Sequence, residues 1–281
     1  MQLAERAGAD YPVAMPTRSV PTRLLNTRYI ELLPAALLRA RSNADARVLA
    51  QADWLLRRKR DGRYLAAQLA HGVMPLVPRL AREPGLDEAF DRLQAADMPG
   101  MSPDGVELPV DGLQRRLAQL NIAEDAYVRH TGLRLIAEPA TLQFAGRDRF
   151  GRPLWLSAGG ARAWRQMHAA ALRADIVLDA ISGYRSHDYQ LGIFERKFAR
   201  GLTLEQILAV NAAPGFSEHH SGDALDIGTP DEPPAEESFE TTPAFAWLRS
   251  NAQAFGFRLS YPRDNPHGIV YEPWHWRWSR A

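Results

Sequence analysis

The stretch SEHHSGDALDI, Ser217–Ile227, packs two histidines, two serines and two aspartates around one glycine. Its second half reads as a strand. In DALDI the two-residue period puts Ala224 and Asp226 on one face and Leu225 and Ile227 on the other, so Asp226 points away from the apolar side and needs a polar partner. Gly222 permits the tight backbone geometry that would bring His219 beside that aspartate.

Near the other end, YEPWHWRW, Tyr271–Trp278, repeats the logic. Trp274, Trp276 and Trp278 share one strand face, which leaves His275 and Arg277 together on the other. Pro273 makes Glu272 the last residue before the strand, three positions ahead of the histidine. Two histidines and one aspartate form a zinc set with an open fourth position, the feature that separates a catalytic site from a closed structural one. Glu272, held near the metal but not on it, would take a proton from water and pass it to a leaving amine. The chemistry this points to is amide hydrolysis.

Composition narrows the setting. With 281 residues, 46% apolar and 24% charged, the chain is long enough for one large domain, or a catalytic domain with an appendage, and is not biased toward disorder. A net charge of +1 gives no strong field, and the basic run LLRRKRDGR, Leu55–Arg63, reads as a solvated helix face, so nucleic acid is not indicated. The absence of cysteine excludes disulfides, thiolate-bound zinc and thiol nucleophiles, so any metal must use nitrogen and oxygen ligands. No run of about eighteen apolar residues offers a transmembrane helix. The opening MQLAERAGADYPVAMPTRS lacks the apolar segment of a signal peptide, which predicts a cytoplasmic start.

Along the chain, residues 1–24 read as a flexible lead-in and residues 25–125 as a helical N-terminal region. Val48, Ala52, Leu55 and Leu56 fall at helical spacing, and DEAFDRLQAA repeats the pattern. The Pro- and Gly-rich DMPGMSPDGVELP, Asp97–Pro109, breaks it before one short helix near Leu113–Leu120. From residue 126 to 281 strands and helices alternate. PLWL and DIVLDAIS read as strands, Ser157 as a helix cap, Thr203 and Gln206 as a capping box, Pro243 as a first helical turn, and FRLSY and WHWRW as strands. The expected class is α+β, a small, mainly antiparallel sheet flanked by helices.

SEHHSGDALDI fits S-x-H-x-x-G-x-A-x-D at every fixed position, EPWHWR fits E-x-W-H-x-R, and SGYRSHDYQ lies upstream in the expected order. Together, from about Thr131 to Trp278, these resemble the VanY-type zinc D-alanyl-D-alanine carboxypeptidases, within the wider group of D-Ala-D-Ala dipeptidases and the hedgehog signalling domain. The resemblance implies one zinc ion on His219, Asp226 and His275, and Glu272 as catalytic base. It also implies that Arg185 stabilises the oxyanion, that Ser217 hydrogen-bonds the substrate, and that Tyr184 and Gln190 are pocket walls. It departs at His187, where an aromatic such as Tyr is expected, and at Ser221, where Thr is common. His71, His130, His168 and His267 read as ordinary surface or core histidines, and His220 as a neighbour of the site rather than a ligand. The implied substrate is a peptidoglycan stem peptide or muropeptide losing its terminal D-alanine. Two alternatives stay open: a D,D-dipeptidase or L,D-carboxypeptidase of the same chemistry, and a non-catalytic zinc-binding module. The substrate argues for the cell envelope, against the cytoplasmic start.

Overall fold

A computed structural model describes residues 21–96 and 105–280. The expected lead-in therefore lies outside the described residues up to position 20, as do positions 97–104 of the expected linker. The first region is mainly strand, although the helices expected at DEAFDRLQAA and near Leu113–Leu120 are present. It holds β1 (Arg23–Asn26), β2 (Ile30–Pro34), α1 (Asn43–Leu49), β3 (Ala52–Arg58), β4 (Tyr64–Leu69), β5 (Gly72–Pro75) and α2 (Leu86–Ala96), so strands dominate where helices were expected.

The reason lies in how β3 is buried. Leu55 packs with Ala35 and Ala67 on one face, while Trp54 and Leu56 pack with Leu32, Leu65 and Ala89 of α2 on the other. A strand covered on both faces shows a continuous apolar run instead of alternation, and periodicity alone does not separate such a run from a buried helix. The overlooked signal is the turn. Asp61-Gly62 closes the β3–β4 hairpin, with Gly62 at φ +70°, and Asp-Gly between two apolar runs is a strong short-range hairpin signal. Nor is Leu55–Arg63 a solvated helix face. Arg57 bonds Glu31, Arg58 bonds Asp61 and Glu83, and Lys59 is buried.

Next come α3 (Leu113–Gln119), α4 (Glu124–Thr131), β6 (Thr141–Arg147), β7 (Pro153–Leu156), α5 (Ala158–Arg173), β8 (Asp179–Ser182), α6 (His187–Phe198) and α7 (Leu204–Leu208). They are followed by β9 (Ala224–Gly228), α8 (Pro243–Asn251), β10 (Phe257–Leu259) and β11 (His275–Trp278). Strands β6 and β7 extend the first region's sheet through β1, giving the antiparallel order β5-β4-β3-β2-β1-β6-β7. The remaining strands form a second antiparallel sheet, β10-β11-β9-β8. The α+β class holds, with a larger sheet in place of the helical appendage.

Local signals inside the second region behave as expected. Ser157 Oγ accepts from Gly160 N at 3.0 Å to cap α5, Thr203 and Gln206 close a capping box on α7, and Pro243 opens α8. One core joins the two sheets: Leu154 and Leu156 of β7, Trp164 and Met167 of α5, Leu225 and Ile227 of β9, and Trp276 of β11. Each such side chain contributes on the order of 1.5–3 kcal/mol by leaving water. Trp274 and Trp278 pack against the same core, so the tryptophan face of β11 is a packing face. A second core, under the loop that leads to Ser217, joins α3, α4, α6 and α7 through Leu117, Tyr127, Phe194, Ile207 and Phe216.

Candidate metal centre

The register of the small sheet builds the site. His275 of β11 stands directly opposite Asp226 of β9, and Arg277 opposite Ala224, so the polar faces of the two strands coincide. His219 reaches them from a one-turn 3-10 segment that ends at Gly222. That glycine has φ +74°, and a Cβ there would lie 2.5 Å from Leu142 Cδ2 and 2.9 Å from Ser157 N, so no other residue fits without displacing β7.

His219, Asp226 and His275 are all buried, and one donor atom from each lies within 4.8 Å of the others. His219 Nδ1 donates to the carbonyl of Gly183 at 2.7 Å, which leaves Nε2 as a lone pair. Nε2 has no hydrogen-bond partner and faces Asp226 Oδ1 at 3.3 Å. Two buried acceptors turned toward each other are satisfied by a cation. Two imidazoles and one carboxylate suit a borderline divalent ion with one position left open.

The ring of His275 is held from behind. Its Nδ1 lies 3.1 Å from Asp226 Oδ1, while Nε2 meets Glu218 Oε2 at 2.9 Å. Glu218 is in turn bound by Arg277 Nη1 at 3.0 Å. Sequence reading passed over Glu218. Its signal is Arg277, which shares a strand face with His275 and needs a carboxylate there.

The electrostatics follow from this packing. Burial draws His219 down to about 4, helped by the charge of Arg185. Burial also opposes charge on His275, yet Asp226 and Glu218 raise it to about 10. Asp226 would rise on burial but is held well below the usual carboxylate range by His219, His275 and Arg185, and Glu218 is brought to about 2 by His275 and Arg277. Glu272 differs. Burial lifts it to about 7, with the charges of Asp226 and Glu218 adding to the effect and those of His275 and Arg185 opposing it. Its Oε2 stands 3.8 Å from His275 Nδ1.

Of the remaining expected residues, Arg185 joins the group, with Nη2 3.2 Å from Asp226 Oδ2. Ser217 is buried at the start of the His219 segment. Gln190 is buried behind that segment and ties α6 to Ala212 O at 2.9 Å. Tyr184 does not present its hydroxyl to a pocket. That group is bonded to Glu138 and Asn26, because the ring packs toward Leu24, Leu33, Leu142 and Trp155 of the large sheet. His187 likewise turns inward, donating from Nε2 to Ile136 O at 2.8 Å.

Comparison with known proteins agrees with this geometry. The family model described as VanY, D-alanyl-D-alanine carboxypeptidase, matches residues 154–281. A bifunctional D-Ala-D-Ala dipeptidase and D-Ala-D-Ala carboxypeptidase of Enterococcus gallinarum, VanXYC, is 32% identical over 132 residues, covering 44% of this chain and 67% of that protein. The chain belongs to the VanY family. YodJ of Bacillus subtilis strain 168 is 38% identical over 122 residues, 42% of this chain and 44% of that protein. A D-alanyl-D-alanine carboxypeptidase of Enterococcus faecium is 36% identical over 109 residues, 37% of this chain and 34% of that protein. The chain thus spans less than half the length of the last two relatives. Arg185, Ser217, His219, Asp226, Glu272 and His275 all fall inside the VanY match, whereas the strands β1–β6 precede it.

Proposed function

We propose that this VanY-family protein is a zinc-dependent peptidase that removes the terminal D-alanine from peptidoglycan stem peptides or their precursors. The observation that carries the reading is the division of labour among carboxylates. Asp226 is locked between two histidines, while Glu272 stands beside the group and keeps a carboxyl able to exchange a proton near neutral pH.

His219, Asp226 and His275 would hold the zinc ion. When bound, zinc supplies Lewis acidity, lowering the pKa of water to roughly 7 and polarising a carbonyl. Glu272 accepts the proton of the attacking water and delivers it to the amine that leaves. Arg185 offers its guanidinium to the charge that grows on the carbonyl oxygen, an electrostatic role of a few kcal/mol in comparable sites. Ser217 hydrogen-bonds the substrate backbone. The substrate class favours the cell envelope as the site of action, which detection of the native protein in fractionated cells would check.

The test is mass spectrometry of a muropeptide pentapeptide and of the corresponding tetrapeptide, each incubated with the zinc-loaded protein and with Glu272→Ala. Loss of one alanine by the intact protein alone supports the reading. Release of a dipeptide assigns the D,D-dipeptidase activity instead. Cleavage only of a tetrapeptide assigns the L,D-carboxypeptidase activity, and zinc binding without turnover assigns a binding module.

A further inference from the structure

A second buried polar cluster, built mostly from residues ahead of the VanY match, is bonded to the segment that carries Arg185. Lys59 follows β3, Asn26 ends β1, and Glu138 sits just before β6. Lys59 Nζ meets Glu138 Oε2 at 2.6 Å, with side-chain exposures of only 1% and 7%. The same oxygen accepts from the hydroxyl of Tyr184 at 2.5 Å, and that hydroxyl accepts from Asn26 Nδ2 at 2.8 Å. The other oxygen, Oε1, accepts from the backbone N–H of His187 at 2.9 Å.

The carboxylate of Glu138 therefore grips the chain on both sides of Arg185: at Tyr184, one residue before, and at His187, two after. His187 is also the first residue of the 12-residue helix α6, where a negative charge is favoured by the exposed N–H groups and the helix dipole. Between these two grips, Arg185 N donates to His219 O at 3.2 Å and Arg185 O accepts from His220 Nδ1 at 2.7 Å. The backbone that carries the arginine is thus held by hydrogen bonds on every residue from Tyr184 to His187, and its anchor is an ion pair contributed by the large sheet.

The geometry points to Lys59 and Glu138 as positioning residues for Arg185, with the N-terminal sheet acting as part of the catalytic scaffold and not as a separable appendage. The inference rests on the reading that Arg185 faces the substrate carbonyl. A group that stabilises charge only as it develops lowers kcat when misplaced and leaves KM nearly unchanged, and a displacement of about 1 Å costs about a hundredfold.

The test uses the full zinc-loaded chain with the pair Lys59→Met and Glu138→Leu, which removes both charges together and so leaves no unpaired buried ion. The expected result is an unchanged zinc content, a kcat lower by about ten- to a hundredfold, and a KM within about twofold. In an Arg185→Ala background the same pair should change kcat by no more than about twofold, because residues that act through one group are not additive. The conservative pair Lys59→Met and Glu138→Gln, which keeps an acceptor for His187 N–H, should restore kcat to within about threefold of wild type. A crystal structure of the Met/Leu variant gives a readout independent of turnover, and Arg185 Nη2 should leave hydrogen-bonding distance of Asp226. An unmoved Arg185, an unchanged kcat, or the same fall of kcat in the Arg185→Ala background overturns the inference. If the Met/Leu variant does not fold, Tyr184→Phe carries the same readouts with the same expectations. Arg185→Ala alone reports on the underlying reading, since an unchanged kcat there would remove Arg185 from the reaction whatever the cluster does.

Discussion

Asp226 and Glu138 are both buried carboxylates, and their surroundings are opposite in kind. Around Glu138 the fold supplies every counterpart: a lysine, a tyrosine hydroxyl and a backbone N–H. Around Asp226 it supplies an arginine and two imidazoles, one of which turns an unprotonated nitrogen toward the carboxylate. A buried charge is tolerated only when paired. The first site is complete as protein, whereas the second leaves an unpartnered acceptor that a cation would complete. Depth of burial does not distinguish a structural cluster from a metal centre, but the balance of donors and acceptors does.

The largest expected effect removes the acceptor character of the second site. Asp226→Asn keeps the volume but turns one oxygen into a donor, so zinc content measured by elemental analysis should fall from roughly one ion per chain to near zero, and turnover should be lost. Retention of a full equivalent of zinc would mean that the three residues are not the ligand set.

The two sites were also unequally legible in the sequence. The metal centre is written locally: a turn glycine with a strand behind it, and a histidine three residues after a carboxylate. Alternation puts Asp226 and His275 each on the polar face of its own strand, and the register of the sheet then sets the two opposite each other. Nothing local marks Lys59 or Glu138. Lys59 stands in a run of four basic residues, Arg57–Arg60, that reads as solvated, and its partner lies 79 positions away. The same tertiary effect hid the large sheet, since β2 and β3 are buried on both faces and so lose the alternation that announces a strand. Tyr184 is only partly legible for a related reason, because the match to SGYRS gives its place in the chain but not the direction of its hydroxyl.

Breaking the complete site on one side should be the next largest effect. Lys59→Met leaves Glu138 ionised and buried without its cation, and removing one partner of such a pair costs about 3–5 kcal/mol, readable in urea unfolding. Burial would raise Glu138, but Lys59, His187 and the hydrogen bonds hold it well below the usual carboxylate range. A depressed folded pKa contributes stability that is present above the unfolded value, about 4.3, and is lost as pH falls through the folded one. The stability gap between wild type and the variant lacking both charges should therefore move against wild type as pH drops below about 4. A gap independent of pH would mean that the folded and unfolded pKa values of Glu138 coincide, so that the cluster does not favour the ionised carboxylate.

Glu218 tests the support of the metal ligand rather than the ligand itself. Glu218→Gln keeps an oxygen near His275 Nε2 but removes the charge, and changes of this kind cost about 10- to 100-fold in metal affinity. Competition with a chelator should show that loss while the far-ultraviolet circular dichroism stays unchanged. An unaltered affinity would reduce Glu218 to a partner of Arg277 alone.

The smallest effect comes from the ion pair Arg28–Asp111, 3.4 Å apart, which has the same kind of partners as Lys59–Glu138 but a different exposure. The Asp111 side chain is 67% exposed against 7% for Glu138. In water the attraction is weak, the free ions are already well solvated, and holding two long side chains together costs entropy. Asp111→Asn should therefore shift stability by no more than about 0.5 kcal/mol, and raising the salt concentration should erase even that. The contrast with Lys59→Met, measured in the same urea titrations, isolates desolvation as the variable: one pair can lose a partner without consequence because water replaces it, and the other cannot because the sheet has excluded the water.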